Sequence, residues 1–422
     1  MSSRSKQLSA FVLASALAVA ACGGDDDDAG SDSTEASAST TAASAESTAE
    51  ATEEMSEESG EMSEESGEMS EESAEMSEES GEMSEETTEA AAIDAERCQR
   101  NQDAGTITFV TGFDFAAAAG IAEIIAADAE GCFDELCIDV DIQPGFAPSN
   151  GALVIEGQAQ MGMAGSFAEL VANNVAGEGD LVAVLHWGRT AVEAIVLPEG
   201  SEVASFGDLC GNLVGIKGDL PYSLQAAVAL SGIERSCFEE ILLDGFDPVA
   251  HLELGIDALP VYKSNEPNTL ESQGIPFTLL DPLEFDVPSS FGVPFTSQAF
   301  IDEHPEVVAD IVRALIRGYD FAAANPEAAV DHAFELIDAA GNPAFLAKES
   351  ELFRWGVESE LIARLAPADV GVGIPDTELL GAEVEAMVAA GVFAELPDWQ
   401  SMVNTELASA AYDGTTLVWP GS

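Results

Sequence analysis

The stretch that most constrains this chain is residues 106–128, TITFVTGFDFAAAAGIAEIIAAD. Its opening, Ile107-Thr108-Phe109-Val110, is β-branched and aromatic, the composition of a buried strand. Gly112, Phe113 and Phe115 follow. An alanine-rich run then opens at Ala116, with Ala118, Ile121, Ile124 and Ile125 at helical spacing. Strand, glycine turn and helix start in this order predict the first unit of an open α/β sheet. In such sheets ligands bind at the carboxyl ends of strands, near exposed helix N-termini.

The pattern repeats downstream. Strands are expected over 138–142, 159–164, 181–185, 194–197, 212–218, 256–261 and 276–280. Helices are expected over 150–157, over 167–176 with Ser166 as N-cap, over 205–209 and over 222–230. From residue 297 the character changes to long amphipathic helices. One over 303–325 carries Val307, Val308, Ile311, Leu315 and Ile316 on one face, and further helices are expected over 326–338, 348–365 and 377–390. Strands alternating with helices predict an α/β fold with a helical C-terminal third, beginning near Cys98.

The N-terminus reads as an address. Arg4 and Lys6 precede a short apolar run over 8–21, too short to span a bilayer, and small residues 19–21 lead directly into Cys22. This resembles a bacterial lipoprotein signal, with Cys22 as the lipidated residue and the mature chain tethered to the outer face of the cell membrane. A plain signal peptide cleaved near Ala21 is the alternative. Residues 22–97 hold 27 acids and one base, and MSEESGE recurs there with period seven at Met55, Met62, Met69, Met76 and Met83. One apolar position in seven gives no coiled-coil seam, and like charges on neighbouring turns repel. The segment is therefore expected to be a disordered, self-extended spacer. Soft-metal binding by its methionines is the other reading.

The formal charge is −66, and from residue 98 onward 52 acids still face 10 bases. Nucleic acid is excluded as a partner, because no counter-charge is available to release. Acid-rich surfaces with four lysines in the whole chain suit a salty habitat that screens self-repulsion; loss of fold in low salt, followed by circular dichroism, is the check.

Several pieces carry a family resemblance: TGFDFAAAAGIAEIIAADAEGCFDELCIDVDI, QAQMGMAGSFAEL, LPVYKSNEPNTLESQGIP and HPEVVADIVRALIRGYDFAAANPEAA. Over roughly 98–400 the chain resembles substrate-binding lipoproteins of ABC importers, in the branch of thiamine-pyrimidine-precursor, riboflavin and nitrate/sulfonate/taurine binders. Asn265-Glu266-Pro267 followed by Gly274-Ile275-Pro276 resembles the aromatic-heterocycle side. The resemblance implies a two-lobed periplasmic binding protein of type II, a Venus flytrap with two interlobe crossovers. Lobe one would be 98–196 plus 290–422, and lobe two 197–289. It also implies a monomer that hands a small molecule to ABC permease subunits, with no cofactor and no catalysis. Cys132 departs from the pattern, standing where family members usually carry an aromatic.

The candidate ligand residues follow from position and chemistry. Phe113, Asp114 and Phe115 follow the first strand, where rings stack and a carboxylate accepts hydrogen bonds, unless the phenylalanines are core. Ser166 sits at a strand-to-helix turn as cap, cleft residue or both. Trp187 ends a strand beside His186. Tyr222 and Ser223 open a helix in lobe two, and Asn265 and Glu266 lie between a strand and a proline. Nearby bases are sparse (Arg189, Lys217, Lys263), which suits a neutral or weakly basic flat ring better than an anion needing fixed positive charge. A sulfonate or nitrate ligand, and an enzyme like the pyridoxal-dependent pyrimidine synthases with Lys217 and His186 pressed into its roles, are the alternatives. Cys210 and Cys237 share a lobe and are expected to pair, with Cys98–Cys137 as the second pair and Cys132 left free. No CxxC pair or histidine cluster points to a metal.

Overall fold

The computed structural model describes residues 93–115, 121–340 and 347–419, all within one compact unit. The leader, Cys22 and the methionine repeats lie outside the described residues. Among the described residues, ten strands form the sheets of the two lobes, and β11 (Tyr412–Asp413) and β12 (Thr416–Leu417) pair as a separate two-stranded sheet. The first lobe's sheet holds β1 (Thr106–Val110), β2 (Asp139–Gln143), β3 (Met161–Ala164), β4 (Leu181–Ala183) and, much later in the chain, β10 (Val293–Ser297). Their order is β2-β1-β3-β10-β4. β1 runs parallel to both neighbours, in register Ile107↔Val140 and Phe109↔Met161. β10 enters antiparallel between β3 and β4. Parallel strands buried on both faces explain why Ile107, Phe109 and all four residues of β3 are inaccessible.

The second lobe's strands, β5 (Glu193–Pro198), β6 (Leu213–Ile216), β7 (Glu239–Leu242), β8 (Leu259–Tyr262) and β9 (Phe277–Leu280), form a three-stranded sheet and an adjoining two-stranded one. β5 lies between β8 and β9, antiparallel to both, and β6 pairs in parallel with β7. The bridge Val214↔Ala258 links β6 to the approach of β8. The expected lobe boundary between residues 196 and 197 therefore falls inside β5. Glu193 already pairs with Tyr262 of β8, which moves the first crossover upstream to residues 184–192.

The chain passes between the lobes twice, after β4 and after β9, and the two crossovers pair with each other. Gly188 and Phe291 exchange backbone hydrogen bonds of 2.9 and 3.0 Å. A Cβ on Gly188 would stand 1.9 Å from the Phe291 ring, so this close approach admits only glycine.

Helices cover the first sheet. The helix expected from Ala116 is described from Ala122 to Ala129, and it packs on the long helix Pro305–Ala324. The 303–325 expectation resolves into two helices, Gln298–Glu303 and Pro305–Ala324, because Pro305 begins a new first turn. Helices Tyr222–Leu230 and Lys348–Leu365 occupy 222–230 and 348–365. The short strands β7 and β10 went unread. Disulfides join Cys98 to Cys137 and Cys210 to Cys237, and Cys132 is a buried free thiol.

Candidate functional site

The carboxyl ends of β1 and β8 approach one another between the lobes. Phe113, carried just past β1, meets Tyr262 of β8 edge to face, with ring centroids 5.9 Å apart. The lobes touch here through two aromatics. Beside this contact Ser166 caps the helix Phe167–Gly177 by accepting from the Glu169 amide (3.2 Å), while Glu169 turns back to accept from the Gly165 amide (3.0 Å). Glu193, the first residue of β5, accepts from the Ser223 hydroxyl (2.8 Å).

Electrostatics tie these residues into one group. Burial pushes the Glu169 carboxyl up to about 7, and the Glu193 charge adds to the rise. Glu193 is itself raised, chiefly by burial. The Tyr222 hydroxyl is raised by burial and then by Glu169. The Tyr262 hydroxyl is raised by burial and then by Glu193 and Glu169. Phe113, Ser166, Tyr222 and Ser223, proposed from sequence, are therefore gathered around two carboxylates that the sequence reading passed over. A signal existed for both. Glu193 interrupts the apolar run AVEAIVL, and Glu169 stands three residues after Ser166 in a capping-box spacing.

The other candidates lie elsewhere. Phe115 is core. Trp187 is also core, stacked on Tyr319 at 5.3 Å with its indole N–H donating to Glu123 (3.1 Å). Asp114 is exposed. Asn265 accepts from Arg354 (2.7 Å), and Glu266 holds the Lys217 ammonium while accepting from the Tyr262 amide (2.9 Å). Ser264 donates to Glu358 (2.7 Å). The helix Lys348–Leu365 thus reaches lobe two through Arg354 and Glu358, forming a clasp beside the cleft.

The basic residues are likewise engaged. Lys263 bonds both oxygens of Asp281 at 3.0 and 3.1 Å. The Arg189 side chain is 7% exposed, donates to the Ile374 carbonyl (3.1 Å) and lies 3.8 Å from Asp376. His186 is fully buried with Nε2 2.7 Å from the Gly188 carbonyl oxygen, and burial, then Arg189, pulls it down to about 4.

Two lobes joined by two paired crossovers, with the candidate site between them, define the two-lobed periplasmic-binding-protein class. Solved structures agree on the fold. The periplasmic aliphatic sulphonate binding protein SsuA of Escherichia coli superposes with a TM-score of 0.55 at 12% identity, over 74% of this chain and 95% of that one. A putative periplasmic sulfonate-binding protein SsuA from Methylobacillus flagellatus gives 0.53 at 17% identity, over 72% and 92%. The family model described as NMT1/THI5 like matches residues 118–329, half of the chain, and the chain belongs to that family. Among curated relatives, riboflavin-binding protein RibY of Chloroflexus aurantiacus is 29% identical over 219 residues. That match spans 48% of this chain and 58% of the relative. Among the described residues no helix is long and apolar enough to cross a membrane.

Proposed function

We propose that this chain is an extracytoplasmic solute-binding protein of an ABC importer, anchored through a lipid at Cys22. It closes its lobes over a small flat heterocycle of the thiamine-pyrimidine or riboflavin class and delivers it to a permease. The observation that carries the reading is the cleft where Phe113, Tyr222 and Tyr262 surround Glu169 and Glu193. Rings supply stacking faces, and carboxylates accept from ring N–H and amino groups. Kinship with a riboflavin-binding protein supports the same class.

A sulfonate or nitrate would want fixed cations, yet Lys217 and Lys263 are bound to Glu266 and Asp281, and Arg189 is buried at the crossover. The synthase reading fares no better, since Lys217 is held by Glu266 and His186 is buried against Gly188. The paired crossovers around Gly188 and Phe291 supply the hinge, and ligand contacts made only in the closed form would shift the population toward it.

The test is a thermal-shift screen of the full chain in moderate salt against thiamine pyrimidines, riboflavin, nucleobases, taurine, alkanesulfonates and nitrate. A ligand at about 100 times its dissociation constant stabilises by roughly 2.7 kcal/mol, a readable shift. Stabilisation by a flat heterocycle is expected; a response to anions alone would overturn the reading.

A further inference from the structure

Four carboxylates lie near the interlobe contact, Glu169, Glu193, Glu358 and Glu383, and a fifth, Glu123, lies beside Trp187 in the core of lobe one. Glu123, Glu358 and Glu383 are at least nine-tenths buried, and Glu169 and Glu193 are partly so. Their hydrogen-bond donors are the Trp187 indole, the Gly165 and Ala168 amides, and the hydroxyls of Ser223, Ser264 and Ser290. No lysine or arginine forms an ion pair with any of them among the described residues.

We infer that the solute taken by this cleft is an organic cation, a flat ring carrying an amidinium-type N–H edge, whose positive charge is received by Glu169 and Glu193 beside the rings of Phe113, Tyr222 and Tyr262. The inference rests on the heterocycle reading and narrows it. An ionised carboxylate taken out of water needs either a proton or a counter-cation, and the bases that act on this set, Lys263 on Glu193 and Arg354 on Glu358, are already engaged with Asp281 and with Glu351 and Asn265. The rings add cation–π attraction to the same charge. A metal ion is a poor substitute, because no group of three potential ligands stands close enough to hold one among the described residues.

Burial biases these carboxyls toward their protonated forms. Burial carries Glu169, Glu358 and Glu383 up to about 7 and raises Glu193 as well. The Gly165 amide and the Glu193 charge act on Glu169, which in turn acts on the hydroxyls of Tyr222 and Tyr262. Those acting on Glu193 are Ser223, Lys263, Tyr262 and Glu383, and the Lys263 ammonium is committed to Asp281. A bound cation displaces a proton from this set. Its affinity rises with pH up to about 7 and levels off above it.

A charge series on one ring tests this without a variant: benzamidine, benzamide and benzenesulfonate, titrated calorimetrically into the full chain from pH 5.5 to 8.5. Benzamidine is expected to bind, with benzamide about tenfold weaker, the scale of losing a charge-assisted hydrogen bond. Its affinity should fall about tenfold per pH unit below 7, as one displaced proton requires. Glu193→Gln and Glu169→Gln, which keep the shape and an acceptor oxygen, should each weaken benzamidine about tenfold and flatten the pH profile. Equal binding of benzamide, or a flat profile in the unaltered chain, overturns the inference. If neutral riboflavin binds and benzamidine does not, the inference falls while the heterocycle reading stands. If no flat ring binds at any pH, both fall.

Discussion

The molecule buries acids in two ways. At the seam between helices Ala95–Asp103 and Pro305–Ala324, Asp310 is wholly inaccessible and fully partnered. Arg97 Nε reaches it at 2.9 Å, Asn101 at 2.9 Å and Arg313 at 3.1 Å. Elsewhere Glu123, Glu358 and Glu383 are nearly as buried, yet their hydrogen-bond donors are neutral. An acid that fastens two helices arrives with its counter-charges. An acid kept for an incoming molecule is left short of them. The first arrangement is valuable because breaking it strands charges; the second tolerates neutralisation, because burial already favours the protonated form.

The contrast breaks most visibly at Asp310. Asp310→Ala leaves Arg97, Asn101 and Arg313 facing an empty acceptor site and should cost about 3–5 kcal/mol in denaturant unfolding, the usual penalty for stranding a buried ion partner. A loss below about 1 kcal/mol would mean that the seam does not depend on the pair.

The acids with neutral donors should respond to pH in the opposite sense from paired carboxylates. Glu123, Glu358 and Glu383 have folded-state values near 7, above the 4.5 of a free glutamate. The folded chain therefore holds more protons than the unfolded chain between those limits. Their contribution to stability is greatest below about 4.5 and is lost as pH rises toward 7, by an amount on the order of 1–3 kcal/mol per group. Glu383→Gln should leave stability at pH 5 near the parent value, raise it at pH 8 and flatten the slope between. A slope that rises with pH would show that these groups are paired after all.

The smallest effect sharpens the comparison from the surface. Arg100 and Glu306 pair across the same helix seam as Arg97 and Asp310, but both are about half exposed. Glu306→Gln should leave the unfolding midpoint unchanged within error, since water already solvates both groups.

The parts of the fold that could be read from the sequence were those whose signal is local. Tyr222–Leu230 follows Pro221, which presets the first turn, and Lys348–Leu365 carries its helical composition alone. β7 was unreadable because its residues Glu239 and Glu240 are exposed on a short edge, leaving no alternation. β10, VPFTS, is buried only because it slots between β3 and β4, which lie more than a hundred residues away in the chain. The lobe boundary was misplaced for the same reason, since nothing within 193–198 says which sheet will accept it. At the site, Phe113, Ser166, Tyr222 and Ser223 were accessible to reasoning about strand ends and helix starts. Trp187 was not, because the Tyr319 ring that takes it into the core is 132 positions away in sequence. The carboxylates were missed for a different reason. In so acidic a chain a glutamate reads as solvated surface, and only its apolar neighbours, as in AEIIAA around Glu123, mark it as buried.

The position of β10 also bears on the order in which the chain can assemble. β4 has β10 as its hydrogen-bonded neighbour in the sheet, and β3 needs β10 on its far side. The strands of the second lobe, by contrast, all come from one continuous stretch, residues 193–280, closed by its own Cys210–Cys237 bond. As the chain emerges N-terminus first, that middle segment can complete its sheets and oxidise its cysteines while the earlier strands still wait for residue 293. The half that begins first finishes last, through a long-range closure of the kind that slows folding and exposes strand edges. Until β10 arrives, β3 and β4 present open edges, and a chaperone acting on the nascent protein would find its binding surface there.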